Sequence, residues 1–174
     1  MERSTTTKIQ KSNLVKKASR VKEPSQVKAT IGWKEQIDLP EFGLTGIPAK
    51  IDTGARTSVL HCSHIRLIQR DNKRFVEFVP LDASFQDAWG KQQKWTLPFH
   101  SERTIKNSFG QEENRYVVKT VVRMFGQEYP IELSLRDRSD MEFPMLLGRS
   151  FIREKFLVDV SRSNLNRSNI KKTS

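Results

Sequence analysis

The sequence predicts an all-β domain, either a closed barrel or a sandwich, and three observations support this. Residues 74–79 (RFVEFV) and 129–135 (YPIELSL) alternate apolar and polar side chains with the period of two that a half-buried strand requires. Residues 115–124 (RYVVKTVVRM) are rich in the β-branched side chains that suit a pleated sheet. Only residues 150–155, which follow Gly148, suggest a helix, so strands greatly outnumber helices.

The predicted elements that precede residue 52 are short. Residues 29–39 (ATIGWKEQIDL) begin the domain, and Gly43 to Gly46 form a turn. Residues 47–51 (IPAKI) then form a strand that leads directly into Asp52.

The elements of the second half form a long hairpin and a closing strand. Gly126 and Gln127 are typical of a tight turn between the strand at 115–124 and its returning partner. Pro130 indicates an edge or the start of a strand, because proline lacks the N–H that a central strand must donate. The short helix follows, and residues 156–160 (FLVDV) close the domain as a last strand.

The net charge of +11 is concentrated at the two ends of the chain. Residues 1–28 hold eight Lys or Arg against two Glu, and residues 161–174 hold four Lys or Arg and no acid. Because both segments lack apolar periodicity, we predict disordered basic tails at 1–28 and 161–174 and one folded domain at 29–160. The tails either keep the protein soluble or steer it towards an acidic partner such as ribosomal RNA or an acidic peptide.

The composition also indicates the cellular compartment and the cofactors to expect. The lone Cys62 cannot form an intrachain disulfide, and no apolar run is long enough to cross a membrane. The first twenty residues lack the apolar stretch of a secretory signal. We therefore expect a cytoplasmic protein without a membrane partner, and the absence of a phosphate-cradling GxxxxGK[ST] motif argues against ATP binding through a P-loop.

The segment most informative about chemistry is residues 49–60 (AKIDTGARTSVL). Asp52 stands at the end of an apolar strand, Thr53 offers a hydroxyl group, and Gly54 lets the backbone turn sharply. Taken alone, this tripeptide also fits an ordinary turn that is capped by an aspartate.

A second segment at 145–151 (MLLGRSF) makes the first one more specific. Together the two resemble the retropepsin family, the dimeric aspartic proteases first known from retroviruses. The resemblance implies a closed barrel in which the apolar-apolar-Gly segment passes under the Asp-Thr-Gly loop. It also implies a flap hairpin with its tip at 107–113 (NSFGQEE) and arms near 104–106 and 115–118. Ser108, Phe109 and Gly110 of the tip would then contact the substrate.

The signatures IDTGARTSVLH and LRDRSDMEFPMLLGRSFI look closer still to a bacterial branch of that family, whose members often carry the name ATP-dependent zinc protease. This branch is associated with ATP-grasp ligases that add glutamates to a ribosomal protein. The resemblance therefore implies glutamate-rich peptide tails as a candidate substrate. It covers residues 30–160, although residues 63–100 match weakly.

One chain carries one Asp-Thr-Gly, whereas retropepsin chemistry needs two carboxylates about 3 Å apart that share a proton. We therefore predict a homodimer with Asp52 of each subunit on the two-fold axis, Thr53 locking the loops together, and neither cofactor nor metal. Ala55, Arg56, Gly148 and Arg149 would line the substrate groove.

Arg56 occupies the position where the retroviral pattern has an acid that pairs with the arginine of the second motif. The freed arginines either pair with other acids, for which Asp137, Asp140 and Asp159 are candidates, or face an acidic substrate.

Three alternatives compete with the peptidase. A structural zinc could use His61, Cys62, His64 and His100, although these residues have poor ligand spacing. The fold could also bind acidic peptides without cutting them. Finally, Trp33, Trp89 and Trp95 could stack on nucleic-acid bases, but we expect only non-specific nucleic-acid contact through the basic tails.

Overall fold

The computed structural model describes residues 27–82, 93–106 and 110–168. Within these ranges the chain forms eleven strands, two one-turn helices and a 3-10 turn at Pro40–Phe42. The strands are β1 (Ala29–Gly32), β2 (Lys34–Leu39), β3 (Leu44–Asp52), β4 (Ser58–Arg70), β5 (Lys73–Pro80), β6 (Trp95–Pro98), β7 (Ser101–Lys106), β8 (Glu112–Met124), β9 (Gln127–Arg136), β10 (Met145–Gly148) and β11 (Phe156–Asp159). The helices are α1 (Arg149–Ile152) and α2 (Leu165–Ser168). The predicted all-β class is confirmed.

Six of the strands pair in a closed ring. The order runs β10, β3, β2, β8, β9 and β4, and β4 pairs with β10 again. β10 is parallel to β3 and antiparallel to β4, so this four-residue segment lies between the strands on both sides of the Asp52 loop, which we define as residues 52–57. Outside the ring, β5 and β6 extend from β4, β7 pairs with β8, and β1 pairs with β11 in a separate parallel sheet.

The predicted long hairpin is present as β8 and β9. Met124 pairs with Gln127, so the two central residues of the turn are Phe125 and Gly126, one position earlier than predicted. Both have positive φ angles, 51° and 72°, as a two-residue hairpin turn of this hand requires. Pro130 tolerates its place in β9 because β4 pairs only with the later residues of that strand.

The thirteen-residue strand β4 was not predicted from the sequence. Its first five residues, Ser58 to Cys62, are all buried, since β9 and β10 flank them. A strand that is buried on both faces loses the alternation by which strands are recognised. From Cys62 onward the strand leaves the ring and pairs with β5.

The hydrophobic core is formed by apolar side chains that project inward from these strands. Its fully buried members come from all six ring strands and from β5. They include Ile37, Ile47, Leu60, Phe78, Val118, Met124, Leu133, Met145 and Leu147. The described residues contain no helix long and apolar enough to cross a membrane.

The fold continues past residue 160, where the predicted domain ended. The carboxylate of Glu35, which is 1% exposed, accepts hydrogen bonds from the backbone N–H groups of Gly32, Leu165 and Asn166 at 2.7–3.1 Å. The Asn166 side chain in turn accepts a hydrogen bond from the backbone N–H of Phe125. Residues 161–168 therefore belong to the folded domain, whereas they had been predicted to be part of a disordered tail. The other tail residues, 1–26 and 169–174, lie outside the described ranges.

Candidate active site

Asp52 ends β3 at an edge of the ring, with its carboxylate partly exposed. Its Oδ1 atom accepts hydrogen bonds from the backbone N–H groups of Gly54 and Ala55, both at 3.0 Å. These two bonds fix the side chain against its own loop. The second oxygen, Oδ2, takes part in neither bond.

The Asp52 loop is held from below by the end of β10. Gly148 is in register with Asp52 across the parallel pair. The next two backbone N–H groups, of Arg149 and Ser150, donate to the carbonyl oxygens of Ala55 and Arg56 at 2.8 and 3.1 Å. The apolar-apolar-Gly segment therefore passes under the loop, as the resemblance implied.

Gly148 is required by this close approach. A Cβ atom at this position would lie 2.7 Å from the carbonyl carbon of Thr57 and 2.8 Å from its oxygen. These are backbone atoms, which cannot rotate away as the end of a side chain can. Any residue larger than glycine would push the Asp52 loop off β10.

Ser58 is a supporting residue that was not recognised in the sequence. Its buried Oγ accepts a hydrogen bond from the Gly148 N–H at 3.0 Å, and its carbonyl oxygen accepts one from Ser134 Oγ at 3.0 Å. It thereby ties β10 and β9 to the end of the loop. The sequence feature that could have indicated this role is a small polar residue, Ser58, directly before the apolar residues Val59 and Leu60.

Arg149 has a partner that the sequence did not suggest. Its Nη1 atom donates to the carbonyl oxygens of Thr53 and Gly54 at 2.9 and 2.8 Å, so the guanidinium group braces the Asp52 loop. Among the acids considered as partners, Asp137 accepts from Ser139 N–H and Asp159 accepts from Ser161, and within the described ranges neither these nor Asp140 forms an ion pair with Arg149.

Arg56, like Arg149, is an exposed arginine of the predicted groove. Within the three described ranges its side chain forms neither a hydrogen bond nor an ion pair. It borders a cleft of about 470 Å³ together with Thr57, Ser150 and the flap strand residues Arg103 to Ile105. Arg103 itself is bound to Glu132, whose pKa is lowered mainly by that bond.

The predicted flap is represented by the hairpin of β7 and β8. Lys106 pairs with Glu112 at its outer end and Ser101 with Val117 at its base. Gly110 has a φ angle of 81°, which favours glycine at this turn. Ser108 and Phe109, the other predicted tip residues, lie outside the described ranges.

The histidines and the cysteine of the zinc alternative have separate environments. His61 is fully buried, with Nε2 at 2.9 Å from Asp82 Oδ1 and Nδ1 accepting the backbone N–H of Arg138 at 2.8 Å. His64 contacts Ser63, His100 pairs with Glu132, and burial raises the pKa of the Cys62 thiol. In the described part of the chain, no three His, Cys, Asp or Glu side chains are placed to hold a metal ion.

The tryptophans of the nucleic-acid alternative pack against other rings where they are described. Trp33 contacts Phe143 edge to face, and Trp95 contacts Phe42 in the same way. Trp89 lies outside the described ranges.

Three further arginines gather between the flap and the end of β9, and we call Arg115, Arg136 and Arg138 the arginine cluster. Arg115 donates to Glu113 Oε2 at 2.7 Å, and Arg136 Nε forms an ion pair with the same oxygen at 3.2 Å. Arg138 is 6% exposed, and its Nε donates to the carbonyl oxygen of Phe143 at 3.2 Å. Burial lowers the pKa of Arg138, and the charges of Arg136 and Arg115 lower it further.

Comparison with known protein families decides the classification. A family model described as the RimB-like retropepsin-like aspartic endopeptidases matches residues 30–169. The chain belongs to this RimB-like family. The match includes the Asp52 loop, β10 and helix α2, so the family match also extends past residue 160.

Curated relatives that match this chain are longer proteins. A probable alpha-L-glutamate ligase from Desulfotalea psychrophila is 36% identical over 134 residues, which are 76% of this chain and 28% of that relative. A protein of the same description from Shewanella pealeana is 36% identical over 141 residues, 80% of this chain and 30% of the relative. The RimB-like chain thus spans less than a third of the length of these ligases.

The fold is also found in a solved structure. A Legionella pneumophila protein of unknown function superimposes with a TM-score of 0.64 at 22% sequence identity, covering 79% of this chain and 98% of the other. At this identity the likeness supports the architecture alone.

Proposed function

We propose that this protein is an aspartic peptidase whose active site forms when two chains bring their Asp52 side chains together. The family match supports this, and so does the Asp52 loop held by β10. The observation that carries the proposal is the carboxylate of Asp52, fixed by two backbone N–H groups at the end of β3 and still partly exposed. Thr53 is exposed beside it, where its hydroxyl group can meet a second copy of the loop.

In the proposed mechanism two carboxylates about 3 Å apart share one proton, because two negative charges this close repel each other. The ionised aspartate takes a proton from a water molecule, which attacks the carbonyl carbon of the peptide bond. The protonated aspartate donates to the carbonyl oxygen, and a proton is passed to the leaving nitrogen as the C–N bond breaks. The pair titrates as one unit.

We further propose that the substrate is a glutamate-rich peptide. The relatives named alpha-L-glutamate ligase carry a segment similar to this chain, which associates the domain with an enzyme that joins glutamates. Exposed Arg56 and the arginine cluster supply positive charge around Asp52. A guanidinium group binds a carboxylate through two parallel hydrogen bonds, so these residues suit acidic side chains.

The test is cleavage of a peptide that ends in a run of glutamates, followed by mass spectrometry of the products. The wild type should release shortened peptides, and Asp52→Asn should release none, because an amide cannot act as the base. Asp71→Asn is the matched control, since Asp71 lies in an exposed turn between β4 and β5 and should retain wild-type activity. Equal product from wild type and Asp52→Asn would refute the dyad.

A binding module for acidic peptides is the second candidate, favoured by relatives named for a ligase and not for a hydrolase. Under this alternative the wild type and Asp52→Asn would bind the glutamate peptide equally well, and neither would shorten it. Measuring binding and cleavage on the same peptide therefore separates the two functions.

A further inference from the structure

Two members of the arginine cluster, Arg115 and Arg136, line a cleft. This cleft of about 400 Å³ lies between the flap strand β8 and the end of β9. It is lined by Ile105, Gln111, Glu112, Glu113, Arg115 and Arg136. Arg138 does not line the cleft; it follows Arg136 by two residues, and the charges of Arg115 and Arg136 both act on its guanidinium group.

The contacts inside the cluster leave positive charge without a contacting anion. A single oxygen, Glu113 Oε2, accepts hydrogen bonds from Arg115 and forms an ion pair with Arg136, so two cations share one carboxylate. Arg115 is 9% exposed, which limits how far water can stabilise its charge.

Arg138 is the member of the cluster that most clearly lacks an anion. Its Nε atom bonds only the neutral carbonyl oxygen of Phe143, and no carboxylate among residues 27–82, 93–106 and 110–168 lies within ion-pair distance of its guanidinium group. Asp140 and Asp52 act on it only through longer-range electrostatic attraction. A buried cation without a contacting anion is unfavourable unless a ligand supplies the anion.

The position of Arg138 is fixed from two sides. Its backbone N–H donates to buried His61, and its carbonyl oxygen accepts a hydrogen bond from Met141 N–H. These two bonds hold the backbone, and the Nε bond to Phe143 holds the side chain, so little conformational entropy would be lost when an anion binds.

We propose that Arg115, Arg136 and Arg138 form a carboxylate-binding subsite next to Asp52, which takes an acidic side chain of the peptide. The peptide ligand is carried over from the proposed function, but the subsite requires only binding and not cleavage. Exposed Glu112 and Asp140 lie near the cluster, and neither contacts a guanidinium group of the three. The cleft beside Arg56 is a weaker site, because its second arginine, Arg103, already pairs with Glu132.

The experiment measures binding in the Asp52→Asn background, so that cleavage does not interfere. Fluorescent peptides of equal length, one of glutamate and one of glutamine, are titrated with protein at constant ionic strength and followed by anisotropy. The readout is the ratio of the two dissociation constants. We expect Arg136→Gln and Arg138→Gln each to lower the preference for glutamate by about tenfold, while affinity for the glutamine peptide stays unchanged.

Two control substitutions make the test specific. Arg123→Gln removes the same charge from the far end of β8, where Arg123 pairs with exposed Glu128, and should leave the ratio unchanged. Arg56→Gln tests the competing cleft and should change the ratio less than Arg136→Gln. If Arg138→Gln fails to fold by circular dichroism, Arg136→Gln and Arg115→Gln decide the outcome.

The subsite is refuted if the variants of the arginine cluster keep the parental preference, or if Arg123→Gln or Arg56→Gln lowers it as much. Failure of the subsite and failure of the peptidase are distinguishable. A glutamate preference that depends on the cluster, without cleavage by the wild type, would retain the subsite and reject the peptidase. Cleavage by the wild type, with a glutamate preference that the substitutions in the cluster do not change, would retain the peptidase and reject the subsite.

Discussion

At the scale of single residues, the geometry around Asp52 depends on positions that carry no chemistry themselves. Gly148 admits the carbonyl group of Thr57 against its Cα atom, and Ser58 accepts the Gly148 N–H. Both residues act through backbone contacts, and these decide where the Asp52 carboxylate points.

Gly148→Ala should lower the free energy of unfolding by about 2–4 kcal/mol, because the added methyl group meets backbone and not a movable side chain. Gly126→Ala is the matched control: it has open space around it, and its positive φ angle alone should cost about 1 kcal/mol. Urea unfolding of both variants measures the difference. Equal losses would mean that the loop can move away from β10 at little cost.

At the scale of secondary-structure elements, single carboxylates join segments that are distant in the sequence. Glu35 on β2 holds both β1 and α2, and Glu132 on β9 holds Arg103 of the first flap strand. The end of the domain and the base of the flap thus each depend on one acidic side chain.

Glu35→Gln should destabilise the protein by about 1–3 kcal/mol, because the new amide NH₂ group would face a backbone N–H donor. Cleavage by a protease after residue 160 should also become faster as α2 detaches. Glu128→Gln, which breaks only an exposed pair with Arg123, should change stability by less than about 1 kcal/mol. Unchanged proteolysis in Glu35→Gln would contradict this role.

The Glu132 ion pair predicts a defined pH dependence. The bond from Arg103 lowers the pKa of Glu132 below 4.5, so the charged form is favoured in the folded protein. Its stabilising contribution is complete above the ordinary carboxyl pKa and is lost as the pH falls through the lowered pKa. Wild type should therefore exceed Glu132→Gln in stability at pH 7, and the difference should shrink below pH 4.5.

Urea midpoints of the two proteins between pH 7 and pH 3 check this dependence. A difference that stays constant over the whole range would assign the loss in Glu132→Gln to packing and not to charge.

At the scale of the whole molecule, the proposed active site needs two chains. Wild type and Asp52→Asn are mixed in equal amounts, unfolded together and refolded, which distributes the subunits at random. Because the mixed dimer has only one aspartate on the axis, activity should fall to about a quarter of that of the pure wild type. Retention of about half would mean that each chain works alone.

Much of the fold could be predicted because residues 74–79 and 129–135 alternate apolar and polar side chains in the sequence, although Val76 to Val79 are all buried in the structure, Glu77 included. Strand β4 could not be recognised, since Ser58 to Cys62 are buried on both faces and do not alternate. Helix α2 was missed because its attachment relies on the distant carboxylate of Glu35 and not on an apolar stripe.

By itself, the sequence determined the strand class and the two motifs that meet at Asp52, because hydrophobic periodicity and glycine positions act over a few residues. Only the tertiary structure decided which partner each arginine finds. Arg149 bonds backbone carbonyl oxygens, which every residue carries, and the arginine cluster joins Arg115 to residues more than twenty positions away. Such contacts depend on how the strands pair around the ring. Sequence patterns that extend over a few residues do not determine that pairing.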